Sequence, residues 1–245
     1  MSTTLFISDL HLDSSRPGVL QLFQSFLHGI DAKTCEALYI LGDLFELWVG
    51  DDDDGPTGRA VSTALRECTG NGVPVFVMRG NRDFLIGNEF ASAAGCQLIP
   101  DPSIVSIQGT ETLLTHGDAL CTDDTDYQAF RQLVRNPAWQ AGFLAHSLAR
   151  RHAIAETLRE MTRQQVGAKP PQIMDVNEYA VRGMLSDYDV HTLIHGHTHR
   201  LAVHEMRVDG KPARRFVLGD WYTEGSVLHC TRKQWWLQRL ALPPG

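Results

Sequence analysis

The chain has 245 residues, 43% hydrophobic and 21% charged, enough to bury a substantial core in one large domain or one domain with an insertion. A formal net charge of −7 excludes a general nucleic-acid binder, since such proteins carry a basic surplus to meet phosphate backbones. Cys35, Cys68, Cys96, Cys121 and Cys230 are widely spaced and form no CxxC pair, which excludes a disulfide framework and a zinc–thiolate site.

The N-terminus runs almost directly into Leu5-Phe6-Ile7, with no basic region and no small-residue cleavage site. No apolar run approaches the ~20 residues that span a bilayer. The expectation is a cytoplasmic protein, neither secreted nor integral to a membrane.

Short apolar runs ending in polar turns dominate the first half. Leu5–Ile7 ends in Ser8-Asp9-Leu10-His11, Ala37–Leu41 in Gly42-Asp43, Val73–Met78 in Arg79-Gly80-Asn81-Arg82-Asp83, and Thr112–Thr115 in His116-Gly117-Asp118. These read as buried strands, with helices over Val19–Gly29 and Thr57–Gly70, hence an α/β layout. Asp51–Asp54 reads as a solvated loop.

Acidic residues at Asp123, Asp124 and Asp126 then suit a helix N-terminus, and about fifty residues of helical composition follow. Pro137 suits the start of a second helix. Gly167-Ala168-Lys169-Pro170-Pro171 breaks the pattern, and Ile173–Leu185 reads as another helix. Strands return at Thr192–His195, Ala202–Val208, Arg215–Leu218, Ser226–Cys230 and Gln234–Leu240. The expected organisation is an α/β core over 1–121 and 178–245, with a helical insertion over 122–177.

The chemistry sits in the turns. Asp9-x-His11, Gly42-Asp43, Gly80-Asn81, His116 and Gly196-His197-x-His199 offer carboxylate, imidazole and amide oxygen, a donor set suited to manganese, iron or zinc. In an extended segment residues i and i+2 point the same way, so Asp9 with His11, and His197 with His199, each present two ligands to one place. The glycines before Asp43, Asn81 and His197 allow tight turns and close backbone approach. His195 lies beside the last pair, but alternation turns it elsewhere. A single Asp-x-His or Gly-Asp arises by chance in many proteins. Five such turns in this order, each closing a strand, point to a metal centre.

This ordered set resembles the calcineurin-like metallophosphoesterases. The resemblance implies a four-layer α/β/β/α sandwich with a helical lid. It also implies one ion held by Asp9, His11, Asp43 and His199, and a second held by Asp43, Asn81, His116 and His197, with Asp43 bridging. Such a pair, ~3.5–4 Å apart, can activate a hydroxide and stabilise charge on phosphoryl oxygens. Asp43, Asn81, Arg82 and His116 then carry catalysis.

The general family pattern has histidine after the asparagine, whereas this chain has Arg82. Arginine stays charged and forks onto phosphate oxygens, but it cannot act as a general acid. A leaving group that is itself a phosphate of low pKa fits that absence, so a pyrophosphate suits the site better than an alkyl phosphate.

Longer strings narrow the resemblance to the pyrophosphatase branch of lipid A biosynthesis. They are Ile40–Glu46, Arg79–Leu85, His116–Asp118, Leu120–Asp124, Ile173–Asn177 and Ile194–Arg200. This implies a hydrolase that uses two Mn2+ ions to split UDP-2,3-diacylglucosamine into UMP and 2,3-diacylglucosamine 1-phosphate, by attack on the phosphorus nearer uridine. It further implies a peripheral enzyme of lipid metabolism on the cytoplasmic face of the inner membrane. Asn81, Arg82, Asp124, Thr162, Lys169 and His197 would contact the substrate. Val166 stands where the branch can carry asparagine, and Asp124 has an alternative reading as a helix N-cap.

Trp139, Phe143, Leu144, Leu148, Ile154, Leu158 and Met161 recur at helical spacing among basic residues, with seven Arg or Lys against two Glu over 131–169. An apolar, basic cap of this kind can hold acyl chains and rest on an anionic membrane surface. A stripe packed on the core with its arginines in water is the plainer alternative. Two further readings stay open: a phosphoesterase for a soluble nucleotide or phosphoprotein, and a scaffold that has lost catalysis. No obligate protein partner is evident.

Overall fold

A computed structural model describes residues 2–53, 55–168 and 173–243, without the side chains of 161–168. Two sheets form the centre. The first has order β11-β10-β1-β2-β3-β4, from β1 (Thr3–Ile7), β2 (Cys35–Leu41), β3 (Val75–Met78), β4 (Gln97–Ile99), β10 (Glu224–Cys230) and β11 (Trp235–Ala241). The second has order β5-β6-β7-β9-β8, from β5 (Ser103–Ile107), β6 (Thr110–Leu114), β7 (Thr192–His195), β8 (Ala202–Val208) and β9 (Lys211–Val217). β1 to β4 pair in parallel, as does β6 with β7.

Alternation along the strands produces the layers. Leu5 and Ile7 of β1, with Leu38 and Ile40 of β2, pack under α1 (Pro17–His28), α2 (Pro56–Gly70) and α3 (Asn88–Ala94). Phe6, Tyr39 and Leu41 point the other way, meeting Leu114, Ile194 and Phe216 between the sheets. Leu113 and Leu193 pack against Val181 and Leu185 of α7 (Glu178–Asp187). Strands buried on both faces read as continuous apolar runs, as these do. The result is the four-layer α/β/β/α sandwich.

Three helices, α4 (Thr125–Val134), α5 (Pro137–Leu144) and α6 (Leu148–Ala168), lie between β6 and α7 in the chain. Phe143 and Ala155 are buried against the first sheet's outer core, with Trp139, Leu148 and Ile154 beside them. Trp139 and Phe143 stack at 5.2 Å, and burying such a ring contributes on the order of 2 kcal/mol. Leu144, by contrast, is 42% exposed.

Several local expectations change. Residues 173–176 form a turn, and α7 begins only after Asn177, whose side chain accepts the amides of Tyr179 and Ala180. Asp175 pairs with Arg200 instead of starting the helix. The acidic run is a loop as expected, with Asp52 exposed, but its carboxylates have partners: Asp51 accepts the amides of Gly87 and Phe90 at the start of α3, Asp52 pairs with Arg151, and Asp53 pairs with His152, while Asp54 lies outside the described residues. Among the described residues, no helix is long and apolar enough to cross a membrane.

Candidate metal centre

The carboxyl ends of β1, β2 and β3 in one sheet meet those of β6 and β7 in the other, so the five polar turns face each other. Strand ends are where ligands gather in α/β sheets. Asp9, His11 and His199 bring donor atoms within 4.8 Å of one another, as do Asp9, Asp43 and His116.

The route to convergence is not extended backbone. Asp9, His11, Asp43, His197 and His199 all have positive φ, from 50° to 68°. Each such residue costs on the order of 1 kcal/mol, and strain of this kind clusters where a site demands it. Alternation alone would not have carried these side chains inward, because the strands end before the ligands begin. The glycine expectation holds: a Cβ on Gly80 would sit 2.1 Å from Asp43 Oδ1, and one on Gly196 would sit 2.3 Å from Asp9 Oδ2.

Hydrogen bonds and carboxylate contacts orient the imidazoles. His116 Nδ1 lies 2.9 Å from the Leu41 carbonyl, which can only accept, so Nδ1 carries hydrogen and Nε2 turns inward. That Nε2 is 2.8 Å from Asn81 Oδ1, which His197 Nδ1 also approaches at 2.8 Å. Glu46 Oε2 lies 3.0 Å from His11 Nδ1, and Asp220 Oδ2 lies 3.4 Å from His199 Nδ1. The Nε2 atoms of His11 and His199 then face each other at 3.2 Å. Lone pairs aimed at one point need a cation or a proton among them.

The carboxylates complete the set. Asp9 Oδ2 accepts from Ser8 Oγ at 2.5 Å and from the His197 amide at 2.9 Å, while its buried Oδ1 faces His199 Nε2 at 3.3 Å. Asp43 Oδ1 lies 3.7 Å from His116 Nε2, and its Oδ2 lies 3.9 Å from His11 Nε2. One carboxylate thus faces both halves of the cluster. The donors are oxygen and imidazole nitrogen without thiolate, which fits a divalent ion of the borderline class.

Electrostatics agree. Burial lowers the His116 pKa, but Asp43, Asp118 and Asp9 outweigh it and raise it to about 9. Burial would raise Asp9, yet the hydrogen bond and charge of His199 hold its carboxyl well below the usual range. His197 falls to about 4, with burial the largest cause. His195 is fully buried, its Nδ1 donating to the Gly196 carbonyl, and it belongs to neither ligand group.

Three carboxylates carry parts that the motifs alone did not assign. Asp83, buried, accepts the amides of Leu44 at 2.7 Å, Phe45 at 3.3 Å and Gly80 at 2.7 Å, locking the Asp43 and Asn81 turns together. Burial first, then Asp43, raises its pKa to about 6. Asp118 accepts from Tyr127 Oη at 3.0 Å and Arg131 Nε at 2.8 Å. Glu46 also pairs with Arg159 of α6. Burial would raise the Glu46 pKa, but His11, Arg82 and Arg159 bring it to about 2.

A cleft enclosing about 860 Å3 runs between the core and α4 to α6, from Asn81 and Arg82 past Trp48, Phe84 and Phe130 to Phe143. Arg135 of α4 donates to the Gly80 carbonyl at 3.0 Å. Arg131, Arg135, Arg151 and Arg159 therefore turn toward core acceptors rather than water, which leaves less of the basic stretch facing outward. Asp124 caps α4, accepting the Tyr127 amide at 3.1 Å. The Thr162 and Val166 side chains, Met161 and Lys169 lie outside the described residues.

Residues 2–201 match the family described as calcineurin-like phosphoesterase. A protein of Stenotrophomonas maltophilia named UDP-2,3-diacylglucosamine hydrolase is 48% identical, covering 98% of this chain and 99% of its own length. One of Cellvibrio japonicus with the same name is 51% identical, covering 92% and 93%. An archaeal phosphodiesterase of known structure aligns with 97% of this chain and 99% of its own, at TM-score 0.48 and 12% identity.

Proposed function

This chain belongs to the calcineurin-like phosphoesterase family, and from that premise we propose that it hydrolyses the pyrophosphate bond of UDP-2,3-diacylglucosamine in lipid A biosynthesis, giving UMP and 2,3-diacylglucosamine 1-phosphate. The observation that carries this reading is the junction of two features. A cluster of carboxylates and imidazoles opens, at Asn81 and Arg82, onto an apolar cleft. A diacylated sugar phosphate has the matching halves.

In this reading Asp9, His11, Asp43 and His199 hold one manganese ion and Asp43, Asn81, His116 and His197 a second. Bound there, the pair supplies an activated water and counter-charge for the phosphoryl oxygens. The chain's own residues do the rest. Glu46, Asp220 and the Leu41 carbonyl hold three imidazoles in the ligating tautomer. Arg82 forks onto phosphate oxygens, and no acid is required because the sugar phosphate leaves as an anion. The 122–177 segment acts as a lid over 1–121 and 178–245, its apolar face receiving the acyl chains. Leu133 and Leu144, both exposed on that segment, support peripheral contact with an anionic membrane on the cytoplasmic face.

Hydrolysis in oxygen-18 water, with products weighed by mass spectrometry, tests the reaction. One heavy oxygen in UMP is the expected result. Label in the lipid product would place attack on the other phosphorus, and an intact substrate would end the reading. UDP-N-acetylglucosamine should be cleaved with a kcat/KM at least ~100-fold lower, since losing two chains forfeits several kcal/mol of apolar contact. Equal rates would favour a soluble substrate and remove the lid's proposed role.

A further inference from the structure

A second opening lies beside His199, lined by none of the residues of the apolar cleft. This groove, about 1000 Å3 including the open solvent at its mouth, runs between the ends of β8 and β9 and the segment leading into β10, with His199 and Asp220 in its wall. Its charges cancel almost completely. Arg200 pairs with Asp175, Arg239 pairs with Glu224, and Asp220 faces His199. Arg215 is the exception: its Nε and Nη1 are shielded from solvent and have no hydrogen-bond acceptor. Thr198 Oγ1, between two candidate ligands, is buried without a partner as well. His204 stands directly across from Arg215 in the strand pairing, so both project from the same face of the sheet.

A buried guanidinium edge without an acceptor is costly, so the fold keeps it only where something else accepts. A groove of near-zero net charge does not select a polyanion. It suits an uncharged group rich in donors and acceptors, with carboxylates available to hydroxyls and a guanidinium fork available to carbonyl oxygens. We infer that this groove is the subsite for the nucleoside half of the substrate, with Arg215 donating to a carbonyl of the pyrimidine base and Thr198 Oγ1 bonding the sugar. The inference rests on the pyrophosphatase reading and adds a direction to it. The apolar half of the substrate leaves the metal centre toward Arg82 and Phe143, and the nucleoside half leaves past His199.

The test is calorimetric titration of the full-length, manganese-loaded chain with UMP, for the parent, Arg215→Ala and Thr198→Val, alongside steady-state cleavage of the diacylated substrate. Arg215→Ala should weaken UMP binding about 10-fold, the equivalent of ~1.4 kcal/mol. Its KM for the full substrate should rise while kcat changes less than 2-fold, as expected when contact is uniform between ground and transition states. Thr198→Val should show the same pattern with a smaller loss. A manganese-dependent thermal shift like the parent's shows that each variant is folded. Unchanged UMP affinity in folded Arg215→Ala, while the parent cleaves the diacylated substrate, overturns the subsite alone. A parent that binds UMP but leaves that substrate intact overturns the pyrophosphatase reading instead.

Discussion

Asp43→Ala is expected to lower turnover of the diacylated substrate by on the order of 10^3-fold or more, equal to ~4 kcal/mol of lost stabilisation. The reason is geometric. The two oxygens of this one buried carboxylate face His116 and His11 separately, so a single truncation removes a donor from both halves of the cluster. Stability should move differently. Asp43 sits near Asp83, whose carboxyl it pushes toward protonation, and beside Asp9 in the same ligand group. Removing one of three crowded carboxylates relieves repulsion in the metal-free chain but also leaves the Arg82 amide without its acceptor and His116 without a counter-charge, so the opposing effects should leave its Tm near the parent's. The parent, with manganese at 100 times its dissociation constant, should gain about 2.7 kcal/mol, and the variant should lose most of that gain. Parent-like turnover, or an undiminished manganese-dependent rise in Tm, would refute the shared-carboxylate assignment.

Asp83→Ala should produce the largest structural effect. Its carboxylate accepts three backbone amides, from Leu44, Phe45 and Gly80, in a place with no access to water. Unmet buried donors cost ~1–3 kcal/mol each, so a net loss of about 3–4 kcal/mol and a fall in Tm of roughly 6–15 °C are expected for a chain of this size. Activity should fall too, because those amides hold the turns carrying Asp43 and Asn81. Asp43 Oδ1 itself takes the Arg82 amide at 2.8 Å, so a shift in either turn displaces the other. A thermal scan of the metal-free variant reads the first effect. A Tm within about 2 °C of the parent would mean that the turns hold without Asp83.

Much of this was written in local sequence. Strands buried on both faces must be almost wholly apolar, so Leu5–Ile7, Ala37–Leu41 and Thr192–His195 announce themselves. A polar turn at the end of each was then conspicuous, and those three turns supply five of the seven candidate ligands, Asn81 and His116 coming from the turns after Val73–Met78 and Thr112–Thr115. The segment after Asp83 was less legible. α3, β4 and β5 are short, and their polar and apolar residues mix because one side is exposed.

Sequence by itself determined the donor types, their order along the chain and their place at strand ends, since these follow from composition and periodicity within a few residues. Tertiary structure alone decided the partners. Glu46 reaches His11, Asp220 reaches His199, Asp83 binds a turn 39 residues away, and Arg131, Arg151 and Arg159 turn inward to Asp118, Asp52 and Glu46. Such pairings depend on which loops the two sheets bring together, and on left-handed backbone at the candidate ligands that local alternation does not encode. A carboxylate carries no mark of the imidazole it will hold until packing brings the two within reach.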